Sequence, residues 1–139
     1  MSKRETYLTR HYWETVGGTL IEEFAAVLRS DSNARRLIDG VIILNGNKRI
    51  AKTGEVDLTN KDIVVVQTKA SRLGMNLLGQ AVFSGQLMKA FHPKSIKSVA
   101  ICTSGDSVLE PLAVEYGVEV IVYSAHVTAG WVGITLCAS

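Results

Sequence analysis

Between Asp62 and Ala70 the chain reads Asp-Ile-Val-Val-Val-Gln-Thr-Lys-Ala, a β-branched apolar run that gives way abruptly to Gln67 and Lys69. A run of this kind, bounded by polar residues, is a strand buried on both faces, which only a layered fold can provide. Side chains two apart in a strand share a face, so Gln67 and Lys69 leave the sheet together where the hydrophobic run ends. Lys69 either carries function there or marks only the strand's exit into solvent, its stem packed on apolar neighbours.

The rest of the chain supplies elements to cover that strand. From Thr15 to Arg29 the residues Val16, Leu20, Ile21, Phe24, Val27 and Leu28 recur at spacings of three and four, the pattern of an amphipathic helix. On that helix Glu23 lies nearer the apolar edge than Glu22, and Gly17-Gly18 marks the helix start or a close approach of the backbone to a sheet or ligand. Leu37 to Leu44 reads as a strand with Asp39 near its beginning, and Asn45-Gly46-Asn47 as a turn. An aspartate among aliphatic residues must meet a cation, a metal or several donors. Lys48 to Leu58 reads as a more exposed strand, and Thr59 to Lys61 turns back into the buried one, completing a three-strand meander.

Gly74 to Phe91 reads as a helix with Leu77, Leu78, Ala81, Val82, Gly85 and Met88 on one face and Phe83, Leu87, Ala90 and Phe91 on another. The second apolar side exceeds what one sheet contact needs, and a homodimer through this helix or through the C-terminal tail would use it. Pro93 stops the helix. Ser98 to Thr103 is a strand, Ser107 to Glu110 has capping-box spacing for a helix reaching Tyr116, Gly117 is its C-cap, and Val118 to Tyr123 is a last core strand. The tail is apolar and Gly-containing, with an added strand expected around Trp131 to Leu136. The order helix, three strands, helix, strand, helix, strand makes an α/β sandwich around a mixed sheet.

With 139 residues and 47% hydrophobic content, the chain fits one domain with a real core. No apolar run approaches the ~20 residues that cross a bilayer, so a soluble cytoplasmic protein is expected. Cys102 and Cys137 match neither a disulfide framework nor a zinc spacing, and His11, His92 and His126 are dispersed without ligand spacing. No glycine-rich phosphate loop and no Gly-x-Ser-x-Gly elbow is present. Net charge is +2, but residues 35 to 97 hold eleven Lys/Arg against four Asp/Glu, while residues 98 to 139 hold four Asp/Glu and no Lys/Arg. A polyanion approaching the middle segment fits that asymmetry.

A helix carboxylate at Glu23 or Glu22, Asp39 on a strand, and Gln67-Thr68-Lys69 on a neighbouring strand resemble the PD-(D/E)xK nuclease superfamily, the restriction-endonuclease-like fold. The resemblance spans residues 15 to 123 and implies a three-layer sandwich with an αβββαβ core plus an extra helix and strand. It implies a metal-dependent phosphodiesterase acting on DNA, in repair or defence, with Asp39 as metal ligand, Gln67 in the place usually held by Glu, and Lys69 as the motif lysine. Asp57 is a rival to Asp39 for the metal-binding role. Gln67 departs from the pattern by offering a neutral amide, which leaves open a non-catalytic nucleic-acid-binding or regulatory domain on the same fold.

Mg²⁺ or Mn²⁺ would take Asp39, Glu23 or Glu22, and the Gln67 carbonyl as oxygen ligands. Such an ion acidifies a water and stabilises phosphoryl charge, with Lys69 positioning the water or offsetting developing negative charge. On the following helix Gln80 corresponds to a DNA-contacting Gln of some RecB-like members, although Ser84 stands where those carry Tyr. Arg72 is placed to contact phosphate. No DNA-reading module is visible, so sequence-specific cleavage would need a dimer or a separate targeting partner. A small-molecule α/β enzyme unrelated to nucleases is the third possibility.

Overall fold

The computed structural model describes residues 1–123 and the backbone of Leu136–Cys137. It is a three-layer α/β sandwich. A seven-stranded mixed sheet runs in the order β3-β1-β2-β4-β5-β6-β7, with strands β1 (Thr19–Val27), β2 (Arg36–Ile43), β3 (Arg49–Ala51), β4 (Asp62–Thr68), β5 (Ser95–Cys102), β6 (Val118–Tyr123) and β7 (Leu136–Cys137). Helix α1 (Lys3–Val16) covers one face; α2 (Met75–Met88) and α3 (Leu109–Glu115) cover the other.

The buried strand anticipated at Asp62–Ala70 is β4, and it lies at the centre of the sheet. Its alternate residues feed two cores. Val64 and Val66 meet Leu8, Tyr12 and Trp13 of α1, while Ile63 and Val65 join Ile21, Val41 and Met88 on the α2 side. Each fully buried aliphatic or aromatic side chain stabilises the fold by about 1.5–3 kcal/mol. β4 runs antiparallel to β2, with Gly40 opposite Val66, and parallel to β5, with Thr68 opposite Ile101.

Two elements differ from the sequence expectation. The helix expected over Thr15–Arg29 is instead the end of α1, a glycine turn and strand β1. Gly17 and Gly18 both have positive φ, and a side chain on Gly18 would run into the Ile43 carbonyl oxygen, so this pair ends a helix instead of starting one. The helical spacing has a physical cause within the strand. Glu23 adopts φ 48°, and this left-handed step turns Phe24 to the same side as Ile21, three residues earlier. A spacing of three in a strand then imitates a helix.

The meander is likewise shifted by one strand: β1, β2 and β4 form it, antiparallel throughout. The second strand expected over Lys48–Leu58 shrinks to β3, three residues pairing parallel to β1 at the sheet edge. The αβββαβ order survives as α1-β1-β2-β4-α2-β5. Helix α3 is capped by Asp106, whose Oδ1 accepts from the Val108 and Leu109 amides at 2.9 and 3.0 Å, and not by Ser107. The strand expected around Trp131–Leu136 lies outside the described residues except at Leu136.

Of the second apolar side of α2, Phe91 packs edge-on against Phe24 with ring centroids 5.2 Å apart, whereas Phe83 and Leu87 stay exposed. Among the described residues no helix is long and apolar enough to cross a membrane.

Candidate active site

β2 and β4 pair from Ile43/Ile63 to Gly40/Val66 and then part. At the parting, Thr68 loses the strand partner its amide would have had, and Asp39 takes its place: Oδ2 accepts from the Thr68 N–H at 2.8 Å. An unpaired buried amide would be costly, so this bond both stabilises the split and fixes the carboxylate at the end of β4. Lys69 continues along β5, its N–H donating to the Ile101 carbonyl at 2.9 Å, so the base of its side chain is held by the sheet.

Helix α1 adds a third group, from a stretch that lies ahead of the helix the spacing predicts over Thr15–Arg29. Ser2 caps α1, and Glu5 closes the capping box by accepting from the Ser2 amide at 3.1 Å. The other oxygen of Glu5 reaches the Ala70 amide at 3.4 Å, across the start of the loop after β4. Beneath it the buried hydroxyls of Thr9 and Thr68 share a hydrogen bond of 2.7 Å, fixing α1 on β4. The Ser-x-x-Glu spacing at Ser2–Glu5 was the available signal.

Glu5, Asp39 and Lys69 therefore line one open cavity of about 640 Å³, together with Arg72 and Gln80. Gly74, Met75 and Asn76 line it as well, at the start of α2, which has no side-chain cap. Free amides and the positive end of the helix dipole thus border the cavity beside Lys69.

The carboxylates are electrostatically unlike. Burial pushes the Asp39 carboxyl above its ordinary range; the Thr68 amide opposes this, while Glu5 and Glu23 reinforce it and the Met1 ammonium counters them. For Glu5, burial also acts upward, but the Ser2 and Ala70 amides, Lys69 and the Ser2 hydroxyl outweigh it and hold the group below the usual value. Asp39 is thus a carboxylate whose charge a cation would relieve.

The other expected residues fall elsewhere. Glu22 and Glu23 sit on β1, not on a helix. Glu22 is engaged with Arg10 at 2.7 Å; Glu23 follows it on the strand paired with β2, across from Asp39, and contacts the Met1 ammonium at 2.9 Å. Gln67 is buried under α2, its Nε2 donating to Ser84 Oγ at 2.6 Å, and it lines an adjoining cavity instead of the one holding Glu5 and Lys69. Asp57 is far from this constellation in contacts: it accepts from the Thr59 amide at 3.0 Å and borders a different pocket beside Phe24 and Phe91.

Magnesium typically uses one or two carboxylates and keeps several waters. Asp39 and Glu5 on one open cavity fit that donor demand. Among the described residues no three His, Cys, Asp or Glu side chains form a ready ligand cluster, so a closed all-protein cage is not what the geometry offers. Compared with models of known families, with curated proteins and with solved structures, the chain matches none of them.

Proposed function

We propose that this chain is a metal-dependent phosphodiesterase acting on DNA. The observation that carries the reading is the convergence of Glu5, Asp39 and Lys69, from three elements, on one cavity that faces the uncapped start of α2. Asp39 and Glu5 would hold a divalent cation, Mg²⁺ or Mn²⁺, which supplies acidity to a bound water and neutralises phosphoryl charge. The chain's own groups do the rest. Lys69 orients the attacking water or meets the charge that grows on the phosphoryl oxygens, and the free amides of α2 with Arg72 seat the flanking phosphate.

Glu5 takes the helix role that the sequence assigned to Glu22 or Glu23. Gln67, tethered to Ser84, is withdrawn from the metal and favours a second reading, a nucleic-acid-binding domain without catalysis on the same fold. A repair or defence role, with a second copy or a separate targeting partner supplying sequence selection, is the setting this activity would suit.

The two readings separate on Lys69→Ala, assayed on linear, nicked, branched and single-stranded DNA with Mg²⁺ or Mn²⁺. The nuclease reading expects wild-type cleavage and a loss of ~10²–10³ in the variant, with folding unchanged. No cleavage by the wild type on any substrate, with no metal-dependent shift in Tm, leaves the binding-domain reading.

A further inference from the structure

A second cavity of about 320 Å³ opens between the start of β2 and the side of α2 that carries Gln80, Phe83, Ser84 and Leu87, and it meets the first through Asp39 and Gln80, which line both. The geometry points to this cavity as a binding site for one unpaired nucleobase next to the phosphate held in the first. The inference deepens the phosphodiesterase reading and rests on it for what lies in the neighbouring cavity.

The floor of the cavity is polar, neutral and fixed. Gln67 is only 6% exposed, and its amide nitrogen is spent on Ser84. Its carbonyl oxygen takes no hydrogen bond from any described residue. Among the described residues no side-chain oxygen or nitrogen sealed from solvent lacks a partner, so this oxygen opens into the cavity that Gln67 lines. An acceptor held in one place at the bottom of a recess awaits an N–H donor.

The walls are apolar and uncovered. Phe83 is 69% exposed, and Leu37 and Leu87 stand beside it at 41% and 38%. A flat ring left in water above a polar floor suits a ligand with an aromatic face and a hydrogen-bonding edge. Exposed Arg36 at the rim supplies a cation for the backbone of the same nucleotide. An aliphatic side chain from a protein partner would cover the walls but leave the Gln67 carbonyl unpaired, and an anion would meet Asp39. A nucleobase satisfies both surfaces, and only if its pairing edge is free, because the N–H that meets the Gln67 carbonyl is one a partner base would otherwise take. The substrates implied are single strands, flaps or frayed junctions.

The test compares wild type, Phe83→Ala and Phe83→Tyr by fluorescence anisotropy in EDTA, with a short single-stranded oligonucleotide containing 2-aminopurine and with the duplex of the same sequence. The expected result is an affinity loss of about tenfold for the single strand in Phe83→Ala, with the 2-aminopurine quenching lost, duplex affinity unchanged and recovery in Phe83→Tyr. Phe83 is exposed, so the variants should keep the wild-type Tm. Equal losses on both DNAs, or none on either, overturn the base site. Mg²⁺-dependent cleavage is read separately: cleavage with an indifferent Phe83→Ala removes the base site and leaves the nuclease, while selective single-strand loss without cleavage by the wild type removes the nuclease. Absence of any DNA binding removes both.

Discussion

Glu5 has two duties that chemistry can pull apart. As the N3 residue of a capping box it needs an acceptor for the Ser2 amide, which glutamine also supplies; as the metal ligand proposed above it would need its charge. Glu5→Gln should therefore keep the capping box and lower Tm only slightly, through the lost carboxylate contacts with the Ala70 amide and Lys69, while Mg²⁺-dependent cleavage falls by ~10²–10³, measured on the same preparation. Asp39 presents the opposite conflict. Its carboxyl is raised above the ordinary value by burial, so in the pH interval between the ordinary and the raised value the unfolded chain gives up this proton while the fold keeps it, and stability falls as pH rises. Asp39→Asn keeps an acceptor for the Thr68 amide and removes that penalty. The variant should unfold a few degrees higher than wild type at neutral pH, with the gap closing at acid pH, and should not cleave. Asp39 and Lys69 stood out in the sequence because each is a charge at the edge of an aliphatic run. Glu5 did not, because a carboxylate in a polar segment breaks no pattern; only its pairing with Ser2 set it apart.

At the scale of elements, the buried strand β4, the α2 helix and the parallel strands β5 and β6 were legible because long apolar runs and their stops leave few alternatives. β1 was not. The left-handed step at Glu23 and the register shift between Ala25 and Val27 gave it the spacing of a helix, and such irregularities leave no trace in composition. The Gly17-Gly18 pair was visible, but its sense depended on what lay on either side. Gly18 combines φ 83° with contact against the Ile43 carbonyl, so it couples the end of α1 to the β1–β2 pair. Gly18→Ala should destabilise the protein by roughly 2 kcal/mol or more in urea unfolding, since conformational strain and steric crowding add. Gly17→Ala, where a side chain would meet nothing within 4 Å, bears only the strain of φ 75° and should cost less.

Over the whole molecule the charge is segregated, with eleven of the fifteen Lys/Arg between residues 35 and 97 and the end of the chain acidic. DNA affinity should therefore fall steeply with salt, and Arg72→Ala should lower the slope of log affinity against log salt by about one without changing which DNA is preferred. Binding isotherms across a salt series check this. The placement of Glu5 has a further consequence, one of timing. The contact between its carboxylate and the Ala70 amide spans 65 residues, and Asp39 meets Thr68 across 29. Neither pairing exists in any local fragment of the chain, and each must await the closure of a long loop whose entropy is lost before any contact repays it. Glu5, Asp39 and Lys69 therefore come together only once β4 is seated between its neighbours, and under the proposed function a growing polypeptide would be without activity until its fold is closed.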